Sequence, residues 1–220
     1  MMPRNVKRDG PPNVPFRTAA RDLAEVSRNF YSRGWALGTG GNFSAVLRRK
    51  PLRLAITGSG LHKGDVEPSQ IVEIDAQEKV LRGTRKASNE AAIHVAIVRE
   101  RGAGAVLHTH SVWATVLSGI AASRGGVILQ GYEMLKGLEG VHSHEYTEWL
   151  PILENSQNMK GLSAEVAELV SKRPDIHGLL LRKHGLYTWG PTLLEAKRHV
   201  EIFEFLMEVL VRSGDAGNHG

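Results

Sequence analysis

The 220-residue sequence contains no cysteine. That absence excludes disulfides, thiolate zinc fingers, iron–sulfur clusters and thiol nucleophiles. Any metal must be held by His, Asp or Glu. Long apolar runs are also missing. The longest is four residues, Val95–Val98, against the ~18 that a membrane span requires. No basic–apolar–small leader pattern opens the sequence, so the expectation is a cytoplasmic protein with no membrane partner. Aromatics are sparse, at 6%. The basic clusters Lys7-Arg8, Arg48-Arg49-Lys50 and Arg82…Arg85-Lys86 have no aromatics interleaved with them. A single-stranded nucleic-acid groove needs that interleaving, so no nucleic acid is expected. The net charge of +5 fits a solvated basic surface or a small anionic substrate.

What is present is an ordinary globular composition, 41% apolar and 23% charged, with length for one sizeable core. Residues 1–15 carry four prolines and no periodicity, and read as a mobile arm. Residues 213–220 read as a flexible tail, and 16–212 as one domain. Phe16, Ala20, Leu23, Ser27 and Phe30 are spaced by three or four, which predicts a helix ending at Gly34. Short strands are expected at Phe43–Leu47, Leu52–Ile56, Gln70–Ile74 and Lys79–Leu81. Ser88 and Asn89 sit where a helix over Ala91–Glu100 begins. A strand Ala105–His110, a short helix Val112–Leu117 and strands Val127–Gln130 and Leu150–Leu153 follow. Ser163–Lys172 reads as a helix. Gly178–Lys183 reads as a strand that Leu186–Trp189 continues. Thr192 and Glu195 form a capping box for a last helix reaching about Arg212. Hairpins and helices mix without strict βαβ alternation, so the fold class is a layered α/β arrangement of α+β type.

Ten histidines then become the feature to follow. His108-Thr109-His110 ends an apolar strand, where residues i and i+2 point to one face. Two readings stand: two ligands of one metal, or two satisfied core histidines. His142-Ser143-His144 lies in a polar stretch and reads as an exposed loop. His184 ends the apolar run Leu179-Leu180-Leu181 and precedes Gly185, which makes it the best third ligand. Three neutral imidazoles would leave a coordination position open, as catalytic zinc requires. His62, His94, His177, His199 and His219 read as structural or surface residues.

Gly38–Asn42 and Thr57–Gly60 are rich in Gly, Thr and Ser, and read as turns or as anion nests. Ser88 and Asn89 at a helix start read as a cap or as phosphate donors. Two carboxylates stand out. Glu90 lies in the first turn of that helix, and Glu133 follows a strand. The residues alone do not choose between them.

Five segments occur in an order that resembles the class II aldolase/adducin family. They are Gly40-Gly41-Asn42-Phe43-Ser44, Thr57-Gly58-Ser59-Gly60, Ser88-Asn89-Glu90, His108-Thr109-His110 and Arg182-Lys183-His184-Gly185. The likeness covers about residues 16–212. Gln130, Glu133–Gly137, Pro151–Asn155 and Arg182–Gly190 look most like a dehydrating branch of that family. The resemblance implies a single α/β/α domain with a mostly antiparallel central sheet. It implies one Zn2+ per subunit at His108, His110 and His184, and a homotetramer with sites at subunit interfaces. A small phosphorylated ketose is the implied substrate, with its phosphate at Asn42, Gly60, Ser88 and Asn89. Asn89 departs from the family pattern, where a second serine is usual. Glu90 holds the place of a metal ligand and acid/base in the aldolases, whereas the dehydrating branch places the acid/base at Glu133. The alternatives are a sugar-phosphate aldolase or epimerase, and a non-catalytic adducin-like module.

Overall fold

The computed structural model describes residues 14–214. The expected arm therefore lies outside the described residues up to position 13, and the expected tail from 215 onward. Five α-helices occur among the described residues: α1 (Phe16–Ser32), α2 (Ala91–Arg101), α3 (Val112–Ile120), α4 (Met159–Lys172) and α5 (Leu193–Ser213). The strands are β1 (Asn42–Arg49), β2 (Leu52–Thr57), β3 (Ile71–Asp75), β4 (Val80–Arg82), β5 (Ala105–Thr109), β6 (Gly126–Gln130), β7 (Thr147–Leu153), β8 (Gly178–Leu181) and β9 (Gly185–Gly190). They form one sheet in the order β4-β3-β2-β1-β5-β9-β8-β7-β6. Every pairing is antiparallel except β7 with β8. The mostly antiparallel layered sheet expected from the sequence is the one observed.

Strand periodicity sorts the side chains into two layers. Val46, Val106, Leu179, Leu181 and Trp189 point to the face covered by α2 and α4. Phe43, Ala45, Ala105 and Leu107 point to the opposite face, where α1 packs with Leu23 and Phe30. Leu180 and Leu186 share that second face with α3 and α5. Fully burying side chains such as Leu23 or Phe30 contributes roughly 1.5–3 kcal/mol each. The same parity governs the polar residues. Asn42, Ser44, His108 and Tyr187 fall on the α2 face, and Thr109 falls on the α5 face.

Several expectations change in detail. Helix α3 runs to Ile120 rather than Leu117, and α4 starts at Met159 because Asn158 caps it. Ser213 still belongs to α5, and Gly214 caps it in the left-handed conformation. The larger correction concerns residues 178–190. The chain does not continue through Gly185 but reverses, pairing Leu181 with Gly185 and Leu180 with Leu186. Lys183 takes φ 53° in the connecting turn. Lysine carries no signal for that left-handed conformation, which favours glycine and asparagine. His184 is thus held in a hairpin turn beside β5. No helix among the described residues is long and apolar enough to cross a membrane.

Candidate active site

His108 comes from the end of β5 and His110 from the residue just beyond it, His184 from the β8–β9 turn, and Glu90 from the N-cap position of α2. The histidine Nε2 atoms converge: His110 to His108 2.8 Å, His184 to His110 3.0 Å and His108 to His184 3.3 Å. Two imidazole nitrogens bound tetrahedrally to zinc at ~2.05 Å would stand about 3.3 Å apart. The Glu90 carboxylate lies 3.6 Å from His108 Nε2 and 3.5 Å from His184 Nε2. One donor atom from each of the four residues fits within 4.8 Å.

The tautomers match this use. His108 Nδ1 faces the Leu186 carbonyl at 2.9 Å, and His184 Nδ1 faces Asn155 Oδ1 at 3.2 Å. Both partners are acceptors, so both rings donate from Nδ1 and carry a lone pair on Nε2. Burial keeps these rings neutral. It pushes His108 well below the usual histidine value, lowers His184 and, with the neighbouring His184 second, brings His110 to about 4. Neutral imidazoles are the form a metal takes. The donor set therefore fits a metal ion such as zinc. Tyr187 stacks on His108 at 3.8 Å between ring centres and fixes its plane.

Glycine allows the backbone to approach the cluster closely. A Cβ at Gly41, which has φ 76°, would sit 2.6 Å from the His108 carbonyl oxygen. One at Gly185 would sit 2.0 Å from the Thr109 carbonyl. Here the glycines serve close packing around the ligands as well as turning the chain.

The cluster opens into a cleft of about 1020 Å³, room for a small phosphorylated sugar. Gly60, Ser88 and Asn89 line it, as does Asn42. The Asn42 side chain is engaged, however, donating from Nδ2 to Glu90 Oε2 at 2.5 Å. Ser88 Oγ accepts from the Glu90 backbone N–H at 3.3 Å. Glu90 itself begins α2 and makes no side-chain cap. The floor holds a lysine that sequence reasoning missed. Lys63 is 1% exposed and donates to the Thr39 and Leu61 carbonyls at 3.1 and 2.9 Å. It pins the two glycine loops together. Burial lowers its pKa to about 8, against the opposing pull of Glu90.

Glu133 is not among the residues lining this cleft. Its side chain is 73% exposed and bonded to Lys136 at 2.7 Å, and that bond holds its pKa below the usual carboxylate value. His142 and His144 are exposed, as expected of a loop. His177 and His199 are structural: His177 Nδ1 meets the buried Glu148 at 2.8 Å, and His199 Nδ1 meets the Trp189 carbonyl at 2.7 Å.

The family profile described as Class II Aldolase and Adducin N-terminal domain matches residues 21–211. The chain belongs to this family. Within the class II aldolase and adducin family, it is 39% identical over 194 residues to the methylthioribulose-1-phosphate dehydratase of Marinobacter nauticus, covering 88% of this chain and 92% of that one. It is 41% identical over 202 residues to the enzyme of the same name from Sorangium cellulosum, covering 90% and 94%. Among solved structures, YgbL from Escherichia coli superposes with a TM-score of 0.77 at 25% identity, covering 91% of each chain.

Proposed function

We propose that this protein is a zinc-dependent hydro-lyase that removes water from 5-methylthioribulose 1-phosphate. The product is 2,3-diketo-5-methylthiopentyl 1-phosphate, in cytoplasmic methionine salvage. The observation that carries the reading is a carboxylate facing three converging imidazole Nε2 atoms at the foot of a polar, glycine-walled cleft. The relatives named above carry the name of this activity.

His108, His110 and His184 would hold the metal, and the Glu90 carboxylate would face it as a fourth donor that substrate displaces. When bound, zinc supplies Lewis-acid chemistry that acidifies a proton next to a carbonyl. Gly60, Ser88 and Asn89 would bind the phosphate, with Asn42 contributing at most its remaining N–H. Glu90, an acceptor in its contact with Asn42, takes the proton from C3. The C3–H electron pair becomes the C3–C4 double bond as the C4–O bond breaks. Glu133 gives its proton to the departing hydroxyl, which leaves as water. The enol then tautomerises to the diketone.

Glu133 would reach the cleft from a neighbouring subunit of a homotetramer. Its exposure supports that arrangement. So does an apolar stripe on α3, where Val112, Val116 and Ile120 are 60%, 37% and 52% exposed two residues and more beyond His110. Contact with a second copy would have to displace Lys136 for Glu133 to act as an acid.

Metal analysis coupled to a product assay on 5-methylthioribulose 1-phosphate tests the proposal. One zinc per subunit and the diketone are expected. Dihydroxyacetone phosphate among the products would mean that C3–C4 is cleaved, and would favour a sugar-phosphate aldolase. That second reading is supported by the place of Glu90 beside the histidines. Absence of stoichiometric metal would favour an adducin-like binding module.

A further inference from the structure

His94, which reads from the sequence as a structural or surface residue, lies one turn after Glu90 on α2 and is fully buried. Its two ring nitrogens are both engaged. Nδ1 lies 2.7 Å from Ser44 Oγ, and Nε2 lies 2.5 Å from Asn42 Oδ1. Asn42 and Ser44 sit on the same face of β1, which α2 covers, so one strand presents both partners to one ring.

The direction of each bond follows from its neighbours. A carboxylate only accepts, so Asn42 must turn its amide nitrogen toward Glu90. Its oxygen then faces His94, and Nε2 of that ring must carry the hydrogen. Burial lowers the His94 pKa to about 3, so the ring is neutral and Nδ1 is an acceptor. The Ser44 hydroxyl fills it, its other acceptor being the Val106 carbonyl at 3.5 Å. The chain runs one way, from Ser44 to His94 to Asn42 to Glu90. A second contact leads to the same cluster. The His94 ring meets Tyr187 edge-on at 5.9 Å, and Tyr187 stacks on His108.

We infer that His94 is a positioning residue, holding Asn42 in the one orientation that presents an N–H to Glu90 and so fixing that carboxylate against the histidine cluster. This rests on the reading of the cluster as a metal centre. It also changes the part played by Asn42, whose carboxamide serves the metal side of the cleft more than the phosphate side. A merely structural role would be met equally well by an apolar ring packed from α2 against β1, since a buried polar chain of four groups stabilises only if every member is satisfied.

Two measurements test the inference. The first needs no variant: long-range ¹H–¹⁵N NMR of the metal-free protein reads the tautomer of His94. The Nε2–H form is expected, and the Nδ1–H form would overturn the inference whether or not the protein proves to bind zinc. The second is Zn2+ affinity by chelator competition, with melting curves as a folding control. His94→Phe keeps the ring and removes both bonds, and should weaken binding about 10- to 100-fold, the usual cost of a lost supporting bond. His94→Gln can donate to Asn42 and accept from Ser44, and should restore most of it. In an Asn42→Ala background, His94→Phe should cost nothing further. A lower melting temperature with unchanged affinity, or additive losses in the double variant, would leave His94 a packing residue.

Discussion

His108 and His184 face each other with their Nε2 atoms 3.3 Å apart, and both rings have their hydrogen on Nδ1. Two lone pairs aimed at one point repel, and a shared cation relieves that repulsion. Zinc should therefore stabilise the fold. At a free concentration of about 100 times Kd the gain is ~2.7 kcal/mol, or roughly 5–10 °C in melting temperature for a chain of this size. His184→Ala should abolish the shift in a thermal melt while leaving the metal-free protein folded, because the side chain stands at the cleft.

Glu133→Gln should lower kcat by about 10²–10⁴ while zinc content and melting temperature stay at wild-type values. The side chain is exposed, bonded to Lys136 at 2.7 Å and 3.8 Å from the exposed His144 ring, so no core contact is lost. Glu90→Gln should also stop turnover. If Glu90→Gln stops the reaction and Glu133→Gln does not, the proton donor is another group.

Lys63→Met removes a buried positive charge from the cleft floor and frees the Thr39 and Leu61 carbonyls. The expected result is a KM for the phosphorylated substrate raised about tenfold, on the order of one charge-assisted contact, with zinc content unchanged. Steady-state kinetics beside metal analysis would show it. An unchanged KM would confine Lys63 to holding the loops.

Behind the ligand strand, Thr109 Oγ1 donates to Glu204 Oε1 at 2.8 Å. Burial raises the pKa of Glu204 from 4.5 to about 7. The native state thus keeps a proton that the unfolded chain has released, and the stability this gives is complete below 4.5 and lost as pH rises to about 7. The loss is on the order of 3 kcal/mol. Glu204→Gln, which mimics the protonated acid, should match the wild type in urea denaturation at pH 5 and exceed it at pH 8.

The fold was legible because its elements advertise themselves by period. The i, i+2 rule brought His108 and His110 to one face, and the apolar run before His184 placed it at a rim. What failed to show was tertiary. Glu90 and Glu133 are equivalent in a sequence, and only the meeting of α2 with β1 and the β8–β9 turn puts the first among the histidines. The reversal at Lys183 left no trace because the residue in the left-handed conformation is not one that favours it. The spacing of Glu90 and His94 was visible as one helical turn, but its meaning depended on Asn42, 48 residues before Glu90. Lys63 had no pattern at all, since a lysine in a loop reads as solvated until the loop is buried.

The centre of the sheet is also its most distant assembly. β5 joins β1 on one side and β9 on the other, and His108 meets His184 across 76 residues of chain. Closing such separations is slow, because the loop-closure entropy is spent before the contacts reward it. A metal pocket built from them is expected to be complete only after the rate-limiting step. Zinc should then leave the folding rate untouched and act wholly on the way out, lengthening the lifetime of the native state.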